Sequence, residues 1–138
     1  MIVDTSYEFE DLNFDVIVPE TQSSYWARGR SRDGIIRSFK NSFTVSLRLR
    51  SGEQVGWARI VSDEHYHAYV GDVQILPQYR GQGFGKRLVQ DVLDHPELGN
   101  VSSWLLATRD QHELYRKFGF EDAVPGKFMT MLKTDAPD

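Results

Sequence analysis

No cysteine occurs at any of the 138 positions. That absence removes disulfides, thiolate metal ligands and a cysteine nucleophile together, so chemistry on this chain proceeds without a cysteinyl intermediate. Long apolar runs are missing as well. No stretch nears the length of a membrane span, and the opening residues MIVDTSYEFED are acidic and lack the apolar centre of a signal peptide. We expect a cytoplasmic protein with no membrane partner. Positive charge is not in surplus: 16 Lys and Arg stand against 20 Asp and Glu, a net charge of -4, which argues against a nucleic-acid partner. The four histidines are scattered without ligand spacing, so no metal is expected. There is no internal repeat and no low-complexity segment. What remains is a single domain, residues 1–138, of ordinary composition and long enough to bury a core.

The most informative stretch is Asp72 to Leu93, DVQILPQYRGQGFGKRLVQDVL. Val73 and Ile75 alternate as strand residues do, and Pro77 ends the run because it cannot donate to a ladder. Gly81, Gly83 and Gly85 then leave the backbone bare. From Phe84 onward Leu88, Val89, Val92 and Leu93 fall at helical spacing. A bare turn at a helix start presents several amide N–H groups with the positive end of the dipole behind them, which makes an anion site suited to phosphate. Spacing excludes the two commoner phosphate loops. Only three residues separate Gly81 from Gly85-Lys86, and Arg87 stands where a P-loop needs Ser or Thr. A dinucleotide fingerprint needs glycine at 86, which is Lys. What is left is the loop Arg80-Gly81-Gln82-Gly83-Phe84-Gly85, an R-x-x-G-x-G pattern.

Upstream, Tyr7 to Val18 has weak strand character closed by Pro19, and two short helical pieces are expected at Gln22–Arg28 and Asp33–Lys40. Arg28, Arg30, Arg32, Arg37 and Lys40 lie in and between them. Phe43–Arg50 alternates cleanly, with Phe43, Val45, Leu47 and Leu49 inward and Thr44, Ser46, Arg48 and Arg50 outward. Gln54–Val61 returns as its hairpin partner. The next strand starts near His67 and has a fault. Ala68 and Val70 are apolar at even positions, Val73 and Ile75 at odd ones. One extra residue at Gly71-Asp72, a β-bulge, shifts the phase in this way and lets the strand diverge from its neighbour. Trp104–Ala107 is a short strand in a βαβ crossover. Asp110 and Glu113 are placed as a capping box for a short helix, Gln111–Lys117, that Gly119 stops. Phe120–Val124 and Lys127–Leu132 are two expected last strands joined at Pro125-Gly126.

The loop after the strand resembles the pyrophosphate loop of the GNAT superfamily, the acyl-coenzyme A-dependent N-acyltransferases. A second motif agrees: Leu114-Tyr115-Arg116-Lys117-Phe118-Gly119-Phe120 matches the L-Y-x-x-x-G-F of many members. Two departures stand out, Thr108 where members often have Asn and Gln111 where they often have Ala. The resemblance covers about Phe43 to Phe120. It implies an α/β fold with a mixed, mostly antiparallel sheet of six to seven strands, a central splayed parallel pair and helices on both faces. It implies acetyl-CoA as the donor, with the diphosphate gripped by Arg80, Gly81, Gln82, Gly83, Phe84, Gly85 and Lys86. The pantetheine amides would dock on the freed strand, and Thr108 can hydrogen-bond the cofactor. The first helices and their loop would wall the acceptor site. The basic residues there would meet a negatively charged substrate, steer coenzyme A phosphates, or simply form a solvated helix face.

Transfer of an acetyl group to an amine needs a held carbonyl, a proton for the thiolate and a neutral amine. Strand amides at Val73 or Ile75 suit the first. Tyr115, which the resemblance places near the sulfur, suits the second. For the base, Asp72 at the phase flip is the first choice, ahead of Tyr69 and His67. The acceptor is a small-molecule or peptide amine, and the protein a monomer or homodimer. The alternative is a catalytically weak acyl-CoA-binding or sensor domain.

Overall fold

Alternation in the middle of the chain builds the sheet around one hairpin. The structure, a computed structural model, describes residues 1–133. Strands β2 (Phe43–Leu49) and β3 (Gln54–Ser62) pair antiparallel through a tight turn where Gly52 takes φ +98°. Strand β1 (Val3–Ser6) adds to β2, β4 (His67–Ile75) adds antiparallel to β3, and β5 (Ser103–Leu106) adds parallel to β4. Among the described residues the sheet therefore has five strands in the order β1-β2-β3-β4-β5, not six to seven.

Three expected strands do not form, Tyr7–Val18 and the two at 120–124 and 127–132, while β1 at Val3–Ser6 was not expected. The turn between the last two forms, with Lys127 N–H donating to the Val124 carbonyl, but neither flank joins the sheet. Val124, Phe128, Met131 and Leu132 remain exposed there, and Met129 is 95% exposed.

Helices cover both faces. Helix α3 (Phe84–Leu93) packs Leu88 and Val92 against Val45, Val55, Ala58, Ile60, Ala68 and Val70. On the other face α1 (Phe14–Ser23) and α2 (Arg32–Lys40) enclose Ile17, Val18, Ile35 and Phe39 with Trp57 and Leu76. That second layer explains why Thr44 and Ser46, expected outside, are buried. It also corrects the reading of Tyr7–Val18 as a strand. Asn13 accepts from the Asp15 amide at 3.1 Å and starts a helix there. The buried set Ile17, Val18 and Thr21 follows helical spacing rather than alternation. Pro19 sits inside α1 instead of closing a strand, in its second turn, where it cannot donate the amide bond that the helix would otherwise make to the Asp15 carbonyl. Of the expected helix at Gln22–Arg28, Gln22 and Ser23 end α1 and the rest is a series of turns, with Gly29 at φ +86°.

The bulge is present. Arg59 pairs with Gly71 and Trp57 with Gln74, so Asp72 and Val73 together stand opposite Ala58. The unusual backbone is at Asp72, φ +53°, and not at Gly71. The last parallel pair is Val70 with Leu106. Beyond it β4 runs on to Ile75 with β3 on one side and no strand on the other.

Candidate active site

Three local features converge where β4 outruns β5. The turn Pro77–Tyr79 leads into the glycine loop, in which Gly81 and Gly83 take φ +77° and +85°. These left-handed angles cost glycine nothing. Gly83 is the N-cap of α3 and offers no side chain, so the amides of Phe84, Gly85 and Lys86 precede the first intrahelical bonds without a side-chain cap. Arg80 folds back, its Nε donating to the Ile75 carbonyl at 3.0 Å, and fixes the loop to the end of β4.

These elements border a cleft of about 600 Å³. Val73 and Ile75 line its floor, and Arg80, Gly81, Gly83, Phe84 and Gly85 its anion end. Tyr25 and Trp26, from the turns after α1, form one wall. Leu114 and Tyr115 of α4 (His112–Arg116) form the other, and the Leu114 side chain lies against Gly85. Tyr115 is 8% exposed and packs edge-on to Phe120. Burial of the phenol, reinforced by Tyr25, holds its pKa above the ordinary tyrosine value. It is a protonated donor throughout the neutral range.

The structure thus brings most of the residues expected from sequence to one cleft. Gln82 and Lys86 stay on the solvent side of the loop and do not line it. Thr108 faces an adjoining cleft of about 270 Å³ shared with His112 and Tyr115. Its hydroxyl accepts from the Gln111 amide at 3.0 Å. That contact starts α4, and the Asp110–Glu113 capping box does not form; Glu113 pairs with Arg116 instead. Asp72 lies behind Trp26. Its carboxylate, 2% exposed, accepts from Trp26 Nε1 at 2.7 Å, from Arg30 Nη1 at 3.1 Å and from Arg59 Nε. Arg32, from the same basic group, pairs with Asp15 on the surface.

Sequence reasoning missed Arg109, whose guanidinium sits 3.7 Å over the Tyr25 ring. It also missed Glu20 and Gln74, which line the cleft. Only a three-dimensional arrangement brings them there. Among the described residues no group of three or more His, Cys, Asp or Glu is placed to hold a metal ion, and no helix is long and apolar enough to cross a membrane.

Fold and cleft define an α/β protein whose cleft runs from a half-paired strand to a helix start without a side-chain cap. The comparisons with known proteins agree. The sequence model described as the acetyltransferase (GNAT) family matches residues 7–120. A solved structure from Xanthomonas campestris pv. campestris, belonging to the same family, superposes with a TM-score of 0.90 at 31% identity, covering 96% of this chain and 94% of that one. The histone acetyltransferase TAP1 of Glycine max is 32% identical over 120 residues, covering 75% of this chain and 51% of the relative. The chloroplastic GCN5-related N-acetyltransferase 2 of Arabidopsis thaliana is 36% identical over 80 residues, 54% of this chain and 30% of the relative. This chain spans about half, or less, of the length of those two curated relatives. The chain belongs to the acetyltransferase (GNAT) family.

Proposed function

We propose that residues 1–138 form one N-acetyltransferase domain that moves an acetyl group from acetyl-CoA directly to a small-molecule or peptide amine. One observation carries the reading: the unpaired side of β4, the uncapped start of α3 and the buried phenol of Tyr115 border the same cleft. The residues fit the donor. Amides of Phe84, Gly85 and Lys86 and the helix dipole receive the diphosphate, and the free side of Val73–Ile75 receives the pantetheine amides as an added strand would.

A strand amide at Val73 or Ile75 polarises the thioester carbonyl as charge builds on its oxygen. The neutral amine attacks the carbonyl carbon, the carbon–sulfur bond breaks, and the Tyr115 hydroxyl gives its proton to the departing sulfur. The proton the nitrogen sheds leaves to solvent, from which the phenolate is reprotonated. General-acid help of this kind contributes about 10²–10⁴ in rate. Its raised pKa keeps that proton in place at neutral pH.

The test replaces Tyr115 by Phe and follows coenzyme A release over a panel holding a polyamine, an aminosugar, free amino acids and peptides with free N-termini. Retained acetyl-CoA binding with a kcat lowered about 10²-fold or more supports the reading. Firm acetyl-CoA binding by the unaltered protein with no turnover across the panel replaces it with an acyl-CoA-binding or sensor domain. No binding of any acyl-CoA overturns both.

A further inference from the structure

Asp72 combines a left-handed backbone, a side chain almost wholly out of solvent and contacts to two separate elements. A carboxylate offers about four lone-pair sites on its two oxygens. Here Trp26 Nε1 and Arg30 Nη1 donate to Oδ1, while Arg30 Nη1, at 3.4 Å, and Arg59 Nε donate to Oδ2. Those four contacts leave no site open toward an incoming ammonium.

Two of the donors, Trp26 and Arg30, come from the turns between α1 and α2, the segment that walls the cleft opposite Tyr115. The wall continues outward from Trp26. Its ring meets Tyr25 edge-on at 5.1 Å, and Tyr25 in turn carries Arg109 from beyond β5 on its face. The turns contribute little to the core: of residues 24–30 only Ser24 and Ala27 are buried. Trp26 and Arg30 tie them to the bulge of β4 through Asp72.

We propose that Asp72 is a positioning residue that latches the 24–30 segment to the bulge of β4, setting the Tyr25–Trp26 wall on the acceptor side of the cleft, and that it does not take the proton from the amine. The bulge then does two things with one residue. It parts β4 from β5, and it turns a carboxylate away from the donor's path to anchor the segment beside it. The kinetic half of this inference rests on the acetyl-transfer reading; the structural half does not.

The experiment compares the unaltered protein with Asp72→Asn and Trp26→Phe by hydrogen–deuterium exchange of the peptide covering 24–31 and by acetyl-CoA titration. Loss of a charge-assisted bond speeds exchange there about tenfold or more in Asp72→Asn, while the acetyl-CoA Kd stays within about twofold. Trp26→Phe, which removes a single donor and keeps the bulge residue, moves exchange in the same direction and keeps the test valid should Asp72→Asn misfold. Using the best amine of the panel above, the latch predicts a raised amine KM with the pH profile of kcat/KM retained in both variants. Unchanged exchange in both overturns the latch, whatever the activity. A kcat lowered about 10²–10⁴-fold in Asp72→Asn, with loss of the acidic limb of the profile, restores the base role and overturns it too. If the unaltered protein binds no acyl-CoA, the transfer reading falls and exchange alone decides the latch.

Discussion

Gly56→Ala is the most discriminating single change to the sheet beneath the cleft. Gly56 lies on β3 opposite Ile75, and a Cβ built there falls 2.5 Å from Ile75 Cδ1 and 2.7 Å from the Gln74 carbonyl oxygen. The methyl of Ile75 can rotate away; the carbonyl belongs to β4 and cannot, so the strand itself must shift. Overpacking of this kind costs about 1–3 kcal/mol. At about 4 °C per kcal/mol for a domain of this size, Tm falls by about 4–12 °C. The displaced carbonyl sits beside the floor of the cleft, so acetyl-CoA affinity weakens along with stability. Gly99→Ala is the control: nothing lies within 4 Å of its Cβ, and its backbone is not left-handed. Thermal melts and acetyl-CoA titrations on the two variants decide the matter. If Gly56→Ala melts and binds like Gly99→Ala, the close approach of β3 to β4 does not exist as described.

Other perturbations follow from the same geometry. Gly83→Ala meets open space but must hold φ +85°, so it loses about 1–2 kcal/mol in urea unfolding by backbone strain alone. His95 is buried between the rings of Tyr7 and Phe43, and desolvation lowers its pKa. The unfolded chain binds that proton more readily, so stability is lost as pH falls from about 6.5 toward the folded value. His95→Phe flattens that slope in melts taken from pH 7 to 5. Asp63 accepts the amides of His65, Tyr66 and His67, and these bonds pull its pKa down to about 2. Its contribution to the β3–β4 turn is present above the ordinary carboxylate range and fades as pH drops toward 2, a loss that Asp63→Ala shows already at pH 7. For Tyr115 the shift is upward, so the alkaline limb of kcat/KM attributable to its ionisation lies above pH 10.

Most of the anion end was legible in the sequence because its physics is local. Pro77, the spaced glycines and the apolar periodicity from Phe84 each act on their immediate neighbours, and the loop and α3 fall where they indicate. The bulge was legible for a related reason, since alternation is counted along a single strand and a change of phase leaves few alternatives. The α1 region misled because Phe14, Val16 and Val18 also alternate, while fully buried Ile17 and the Asn13 cap decide for a helix only once a second layer covers the sheet. The 120–132 segment misled in the opposite sense: apolar residues on either side of the Pro125-Gly126 turn read as a hairpin, but no neighbour takes it up. The surroundings of Asp72 were out of reach altogether. Trp26, Arg30 and Arg59 lie 46, 42 and 13 positions away, and no pattern in the chain ties them to it.

The sheet carries its site as a single insertion. Excise Asp72 on paper, and Ala68, Val70, Val73 and Ile75 fall into one uninterrupted alternation with every aliphatic side chain still facing α3. The ground plan is therefore a plain strand with one supernumerary residue, and that one residue marks where β4 and β5 stop pairing.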